Sequence, residues 1–328
     1  MIIRMKSTNQ TFWLPIYIMN DSSFQSGPYL VLLIFECILY IITGAIICST
    51  VKIFLKIRLF HRNMNIMKTL FLCQWFEAIV AKMVIIPYQI GLLTLTDSPQ
   101  PYVSWWSDAD SEEIIHVEQA SPTVYAILIA SFLVWHYAYS MIFGILNLGV
   151  ERIFASVLLK DYEKKPRVYI PVILILSTHI VTFGFSYLVL TNRTGFYIGT
   201  APCFVNSGLT FLLAKNLLIA VLCAMSVPCA LLILIVMGFV PTLKIVVIHV
   251  MENSIYLNPI IVCSVLMFSS TVWRDEYLNL IPGWNRFRIV RVFMVRPKPR
   301  VTHRASGTPT EGHDEGLVYF EQLKKSWM

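Results

Sequence analysis

Long uninterrupted apolar blocks restrict what this chain can fold into more than any other feature. A bilayer core is crossed by about 20 apolar residues in a helix, and five blocks reach that length, at 29–51, 69–95, 123–150, 169–190 and 245–272. Since 56% of the residues are hydrophobic and 14% are charged, a water-soluble fold would leave too much apolar surface uncovered. We therefore predict an all-α, polytopic membrane helix bundle.

A sixth apolar block, 207–240, does not fit a single crossing. Its 34 residues would form a helix about 51 Å long, which is too long for one span and too short for two. The sequence leaves six or seven crossings open, and the charge pattern of the connecting segments favours seven.

Basic residues in the short connections predict the orientation. Lys and Arg are concentrated after the first and third blocks, whereas 96–122 contains neither and carries six acidic residues. Because basic segments are retained on the cytoplasmic side, we predict a plasma-membrane protein with an extracellular amino terminus. The predicted bundle spans 1–280, and 281–328 form a basic cytoplasmic tail.

Three Asn-x-Ser/Thr triplets agree with this orientation. Asn9, Asn20 and Asn192 begin them, and all three lie in segments that the charge pattern places outside the cell. We predict these three residues as glycosylation candidates.

Acidic or basic residues inside apolar blocks are candidates for function, because a charge in the membrane is costly. Four lie in the five span-length blocks, Glu36, Glu77, Lys82 and Glu252, and a fifth, Lys215, lies in the sixth block. Glu77 and Lys82 are about 140° apart around a helix, so each needs a partner on another helix. Near Glu36 and Lys82 the sequence shows no second acid. Two interpretations remain open, a polar ligand pocket between helices or structural hydrogen bonds that hold the bundle together.

Two motifs near the ends of predicted spans suggest conformational change. Glu151-Arg152 ends the third block. The two residues could form an internal ion pair that an incoming partner displaces, which would act as a switch. Alternatively, Arg152 reaches the lipid headgroups and Glu151 offsets its charge. Asn258-Pro259 interrupts the last block, where proline removes a hydrogen bond and predicts a helix kink.

No enzymatic site is visible in the sequence. It contains no nucleophile–base or metal constellation, and His136 and His179 are interpreted as isolated, satisfied core residues. We predict no catalytic residue, metal, cofactor or nucleic-acid partner. A channel or transporter would show internal repeats or rings of like charge, which are absent from the sequence.

Several segments spread along the chain resemble the nematode serpentine chemoreceptors of class epsilon. They are FWLPIY from Phe12, ER-x-FAS from Glu151, KDYEKK from Lys160, YLNPIIV from Tyr256, WR from Trp273 and YFEQLKKSW from Tyr319. The resemblance implies a seven-helix receptor in the lipid bilayer that binds a small molecule and couples to a heterotrimeric G protein. It also places Glu151-Arg152 where rhodopsin-like receptors carry an acid–arginine motif, facing the G protein.

One departure from that family concerns the sixth block. Such receptors have a basic inner loop between the fifth and sixth spans, whereas Leu209 to Val240 contains only Lys215 as a basic residue. We therefore expect the region of the fifth span and third inner loop to be shortened. The two functional hypotheses are a chemosensory receptor and, as the alternative, a truncated, non-signalling receptor-like membrane protein.

Overall fold

The computed structural model describes residues 1–21, 24, 26–57, 62–96, 101–103, 114–118, 121–157, 168–192, 244–269 and 271–280. The helices are α1 (Gly27–Lys56), α2 (Arg62–Cys73), α3 (Trp75–Gln89), α4 (Pro122–Val157), α5 (Tyr169–Thr191), α6 (Lys244–Ser269) and α7 (Thr271–Leu280). Most of the described chain is helical, as predicted.

Four stretches are long and apolar enough to cross a bilayer by length and composition. They are Tyr29–Lys56, Asn63–Gln89, Pro122–Glu151 and Tyr169–Thr191, and the second combines α2 and α3. The prediction of a polytopic membrane helix bundle is confirmed. Helix α6 lies in the predicted block 245–272, whereas the block 207–240 and the tail 281–328 lie outside the described residues.

The second span differs in its bounds from the predicted block 69–95. Helix α2 begins at Arg62, and α3 ends at Gln89. The chain turns at Gly91, which has a φ of 74°, a left-handed conformation that glycine adopts without steric cost. A Cβ atom on Gly91 would lie 2.9 Å from Asn20 Oδ1, so the turn packs too closely for a side chain.

Contacts between side chains fix the directions of the helices. Tyr40 OH lies 2.6 Å from Asn253 Oδ1, and the Phe54 and Trp273 rings are 4.9 Å apart, so α1 and α6 run in the same direction. Tyr88 OH at the end of α3 donates to Thr123 O at the start of α4, at 2.9 Å. Consecutive spans among α1 to α5 therefore alternate in direction, and α6 begins at the end where α5 finishes.

Short strands cover that end of the bundle, which we call the strand end. They are β1 (Ile2–Met5), β2 (Gln10–Trp13), β3 (Ile18–Met19), β4 (Tyr102–Val103) and β5 (Ile114–Val117). One sheet has the order β2-β1-β5, with β1 antiparallel to β2 and parallel to β5. The second sheet pairs β3 with β4 antiparallel. The amino-terminal segment, for which the sequence predicts only an extracellular position, therefore forms an ordered cap together with β4 and β5.

The cap is attached to the helices by burial and by hydrogen bonds. Leu14 and Ile16 are fully buried in one apolar core with residues of α3, α4 and α5, and Trp135 Nε1 of α4 donates to Trp13 O at 3.1 Å.

Further from the cap, a Cβ on Gly144 of α4 would lie 2.6 Å from Phe71 Cε1. This small residue lets α2 and α4 approach closely, as small residues do between membrane helices.

Candidate ligand site in the helix bundle

Three of the four ionisable residues in the span-length blocks meet in the structure. Lys82 Nζ of α3 lies 2.8 Å from Glu252 Oε2 of α6 and 3.9 Å from Glu36 Oε1 of α1. Lys82 is 1% exposed, Glu36 3% and Glu252 6%. The interpretation that Glu36 and Lys82 lie near no second acid is wrong, because Glu252, 170 residues after Lys82, is placed beside them by packing.

A histidine completes this group. His249 of α6 is 8% exposed, and its Nε2 lies 2.9 Å from Glu36 Oε2. Despite that distance, neither atom has a hydrogen-bond partner of acceptable geometry among the described residues. We call Glu36, Lys82, His249 and Glu252 the ionic cluster.

Neutral side chains satisfy most of the remaining polar atoms of the ionic cluster. Gln89 accepts from Lys82 Nζ at 3.0 Å and donates to Glu252 Oε2 at 3.0 Å. The Tyr40 hydroxyl contacts both the Glu36 carboxylate and Asn253 Oδ1. Since this hydroxyl carries one proton, it donates to one of these two acceptors at a time.

The ionic cluster lies beneath the strand end. At 1.5 Å per helical residue, Glu36 is about 14 Å along α1 from Gly27, Lys82 about 10 Å from Gln89, and Glu252 about 12 Å from Lys244. All three positions therefore lie at a similar depth, in the half of the bundle that the cap covers.

Residues 17–21 and Phe24 of the cap lie over the ionic cluster. Asn20 N donates to Tyr88 O at 2.8 Å and Asp21 N to Gln89 O at 3.0 Å. The Phe24 and His249 rings are 6.1 Å apart. Burial, with a smaller contribution from the nearby Glu252 carboxylate, raises the pKa of the Tyr17 hydroxyl. These residues therefore separate the ionic cluster from the strand end.

The fourth predicted residue, Glu77, belongs to a separate group. His136 Nδ1 of α4 lies 2.8 Å from Glu77 Oε1, and His136 Nε2 lies 3.4 Å from His179 Nδ1 of α5. The two imidazoles stack, with centroids 5.4 Å apart and planes at 19°. Gln74 Nε2 approaches His179 Nε2 at 3.5 Å. We call these four residues the histidine group. His136 and His179 are satisfied partly by each other, so the expectation that they are isolated is wrong.

The motifs at the other end of the bundle are described only in part. Glu151 is 1% exposed, whereas the Arg152 side chain lies outside the described residues. Helix α6 continues through Pro259, and Asn258 Oδ1 is buried without a hydrogen-bond partner among the described residues. The predicted switch and the predicted kink both stay predictions.

The three glycosylation candidates occupy different surroundings. Asn9 is exposed with a φ of 54°, and its Oδ1 accepts from Arg4 Nε at 3.0 Å. Asn20 is half-buried within the cap. Asn192 is exposed and caps the end of α5. Exposure is compatible with modification at Asn9 and Asn192, which stays a prediction at all three positions.

Sequence reasoning missed three members of the site, although a signal for each exists. Tyr40 follows Glu36 by four residues, His249 precedes Glu252 by three, and Gln89 follows Lys82 by seven. Residues at these spacings share one helix face. Searching that face for polar side chains would have identified all three.

A bundle of membrane helices that alternate in direction is consistent with the seven-span architecture of a serpentine receptor. A family profile described as the Sre G protein-coupled chemoreceptor matches residues 1–212 and 209–328. Because these two matches span the chain, it belongs to the Sre family of G protein-coupled chemoreceptors. The predicted resemblance is confirmed.

Individual relatives agree with that assignment. The chain is 58% identical to serpentine receptor class epsilon-38 of Caenorhabditis elegans, over 99% of this chain and 100% of the relative. It is 30% identical to serpentine receptor class epsilon-37 of the same organism, over 99% of each. Similarity therefore extends along the whole chain.

The alignments also show a difference in length. The alignment with the 58% identical relative has 367 positions, which exceed the 328 residues of this chain by 39. At least 39 positions of the alignment therefore carry no residue of this chain. The two family matches meet at 209–212, inside the apolar block 207–240 that fits neither one span nor two.

Proposed function

We propose that this chain is a chemosensory receptor that binds a small-molecule cue at the ionic cluster and signals to a heterotrimeric G protein. The observation that carries the proposal is that Glu36, Lys82 and Glu252, from three helices, meet in the half of the bundle under the cap. Buried charges are expensive inside a membrane bundle, and replacing such groups by apolar residues is often stabilising. Their presence favours a role in recognition.

The helices that hold the ionic cluster also reach the opposite end of the bundle. Helix α6 carries Glu252, and the helix that follows it, α7, places Trp273 against Phe54 of α1. Lys56 of α1 forms a salt bridge with Glu276 of α7. A cue that changes how Glu36 and Glu252 share Lys82 would therefore shift α6 against α1, and the shift would reach the contacts of α7.

The end opposite the cap is the proposed G-protein surface. Glu151 is buried there, and we propose that it and Arg152 form the switch that an incoming G protein engages. This assignment requires a plasma-membrane protein whose amino terminus is extracellular and whose carboxyl tail is cytoplasmic. A tag after residue 328 should be labelled only in permeabilised cells, and labelling of intact cells would contradict the topology.

A signalling assay tests the proposed function directly. The full chain is expressed with reporter G proteins and screened with small-molecule cues, and Lys82→Met is then compared with the wild-type protein. We expect Lys82→Met to abolish the cue response at equal surface expression. Lys52→Met is the matched control, because Lys52 is an exposed lysine of α1 that belongs neither to the ionic cluster nor to the contacts with α7. If Lys82→Met responds to the cue as strongly as the wild-type protein does, the cue is recognised at another site.

A second candidate function follows from the difference in length. In the alignment with the 58% identical relative, at least 39 positions carry no residue of this chain. The two family matches meet at 209–212, where the fifth span and the third inner loop are expected. A receptor without that region would reach the membrane or pair with another receptor without activating a G protein. This candidate predicts that no cue produces a response.

Restoring the missing segment distinguishes the two candidates. The transcript is first sequenced across the codons for 209–212, and the corresponding segment of the 58% identical relative is then inserted there. A truncated receptor should be silent as it stands and should gain a cue response after the insertion. A response of the unmodified chain would contradict the second candidate.

A further inference from the structure

The cap is attached to the bundle at the carbonyl end of α3. The last carbonyl groups of a helix have no partner within the helix itself. Tyr88 O and Gln89 O, at the end of α3, accept hydrogen bonds from Asn20 N at 2.8 Å and from Asp21 N at 3.0 Å. Two backbone amides of the cap therefore bond to carbonyls that α3 leaves open.

The side chain of Gln89 extends into the ionic cluster and is 8% exposed. Its Oε1 accepts from Lys82 Nζ at 3.0 Å, and its Nε2 donates to Glu252 Oε2 at 3.0 Å and to Glu252 Oε1 at 3.3 Å. A glutamine amide carries both an acceptor and a donor, so it can bond to a cation and to an anion at once. Gln89 is therefore fixed by both partners of the Lys82–Glu252 ion pair, and hydrogen bonds to charged groups are the stronger ones.

A second contact joins the cap to α6. The Phe24 and His249 rings have centroids 6.1 Å apart and planes at 48°. Phe24 N donates to Asp21 O at 3.2 Å, so this ring and the amide that bonds to α3 belong to one turn of the cap. The cap therefore rests on α3 and on α6, the two helices that the Lys82–Glu252 ion pair joins.

The turn after α3 packs directly against the same part of the cap. Leu92 N and Leu93 N both donate to Pro87 O, at 2.9 and 3.1 Å, which folds the chain back over the end of the helix. A Cβ atom on Gly91 in this turn would lie 2.9 Å from Asn20 Oδ1. Because no space separates the two segments there, a displacement of the end of α3 displaces the cap with it.

From these contacts we infer that Gln89 is a positioning residue that couples the ionic cluster to the cap. A change at Lys82 or Glu252 that releases the Gln89 side chain loosens the last turn of α3, and the amides of Asn20 and Asp21 then lose their acceptors more often. Local opening of this kind needs less free energy than global unfolding.

Coupling between two sites is reciprocal. Displacement of the cap therefore also weakens the bonds of Gln89 to Lys82 and Glu252, and it changes the contact between α3 and α6. The coupling itself needs no ligand. Its use by a cue rests on the proposed function: a cue that moves the cap alters the ionic cluster, and a cue that alters the ionic cluster loosens the cap.

Hydrogen–deuterium exchange of the purified full chain in lipid nanodiscs tests the inference without a ligand. Gln89→Met keeps the backbone carbonyl and loses the side-chain bonds to both charged groups. The amides of Asn20 and Asp21 should therefore exchange at least about tenfold faster than in the wild-type protein. The amides of β1, which bond to β2 and β5, should exchange at the wild-type rate. Gln74→Met is the matched control, because Gln74 is a buried glutamine of the histidine group, and it should leave the cap unchanged.

A second variant gives a result that a purely structural glutamine would not. Glu252→Gln weakens the bond from Gln89 Nε2, so it should also speed the exchange of the Asn20 and Asp21 amides. In Gln89→Met/Glu252→Gln these amides should exchange no faster than in Gln89→Met, because the connection is already broken. Effects that multiply in the double variant, or equal acceleration of the β1 amides, would overturn the inference.

The outcomes separate this inference from the proposed function. Unchanged exchange of the cap in Gln89→Met would overturn the inference, while the signalling assay with Lys82→Met still tests the proposed function. Faster exchange confined to the cap, in a chain that never activates a G protein, would support the inference and refute signalling.

Discussion

The ionic cluster and the histidine group contain similar residue types in different surroundings. The ionic cluster joins α1, α3 and α6, and its side chains are 2–9% exposed. The histidine group joins α3 and Gln74, the residue between α2 and α3, to α4 and α5. The side chains of its Glu77 and His136 are 23% and 12% exposed. Both contain a carboxylate at 2.8 Å from a basic nitrogen. Their difference lies in burial and in the balance of charge.

That difference has energetic consequences. In the histidine group one acid faces one imidazole, and the pair is neutral whichever of the two holds the proton. In the ionic cluster two acids share one lysine, so loss of Lys82 leaves Glu252 without its cation and Glu36 with His249 alone. Because an unpaired buried charge is far more costly than a lost neutral hydrogen bond, equivalent substitutions should have unequal effects in the two places.

The largest effect is expected for Lys82→Met. Removing one partner of a buried ion pair costs about 3–5 kcal/mol, and here Glu252 loses its cation. The free energy of unfolding in detergent micelles should fall by that amount. The matched control, Lys56→Met, breaks a salt bridge to Glu276 in which the lysine side chain is 63% exposed, and it should cost only about 0–1 kcal/mol.

A rescue sharpens this first prediction. The triple variant Lys82→Met/Glu36→Gln/Glu252→Gln contains no charge in the ionic cluster unless His249 takes up a proton, so it should recover most of the stability lost in Lys82→Met. If the triple variant is as unstable as the single variant, packing of the lysine stem and not charge accounts for the loss.

Next in size is Tyr40→Phe, which removes the hydroxyl between Glu36 and Asn253. The buried acceptors then lose a donor, and the expected cost is about 1–3 kcal/mol in the free energy of unfolding. Tyr125→Phe serves as the control, since Tyr125 lies on α4 and is 53% exposed. Equal stability of both variants would show that the Tyr40 hydroxyl is not required.

Sequence alone identifies the acids and the lysine of the two groups and not their partners. Glu36, Glu77, Lys82 and Glu252 are conspicuous because each interrupts an apolar block. Which helices pack together is determined by the shapes of many side chains, such as Gly144 against Phe71, and local patterns do not contain that information. The meeting of Lys82 with Glu252 could not be predicted for this reason.

The strands of the cap show the same limit at the level of the fold. Hydropathy predicts the membrane spans because the bilayer selects about 20 apolar residues in a row. Strand β1 pairs with β5, and Ile2 lies opposite Ile114. A contact between residues so distant in sequence follows from the arrangement of the helices beneath, so the sequence predicts an extracellular amino terminus and not the strands of the cap.

A smaller effect is expected for Glu77→Gln in the histidine group. The glutamine amide can still accept a hydrogen bond from His136, so the free energy of unfolding should change by about 0.5–1.5 kcal/mol. Thermal unfolding in nanodiscs measures this against Lys82→Met under identical conditions. A loss as large as that of Lys82→Met would mean that Glu77 carries a buried charge of equal importance, and the contrast between the two places would disappear.

The smallest effect is the coupling between the two groups. Among the described residues, no hydrogen bond or ion pair links a member of the ionic cluster to a member of the histidine group. Glu77 and Lys82 also lie about 140° apart around the span formed by α2 and α3. Effects at sites without shared partners add to within about 0.5 kcal/mol. The change in unfolding free energy in the double variant Lys82→Met/Glu77→Gln should therefore equal the sum of the changes in the two single variants. The change in Lys82→Met/Glu252→Gln should be smaller than the corresponding sum, because this double variant removes an acid together with its counter-charge. A coupling above about 1 kcal/mol in the first pair would exceed that tolerance and would show that the two groups respond as one unit.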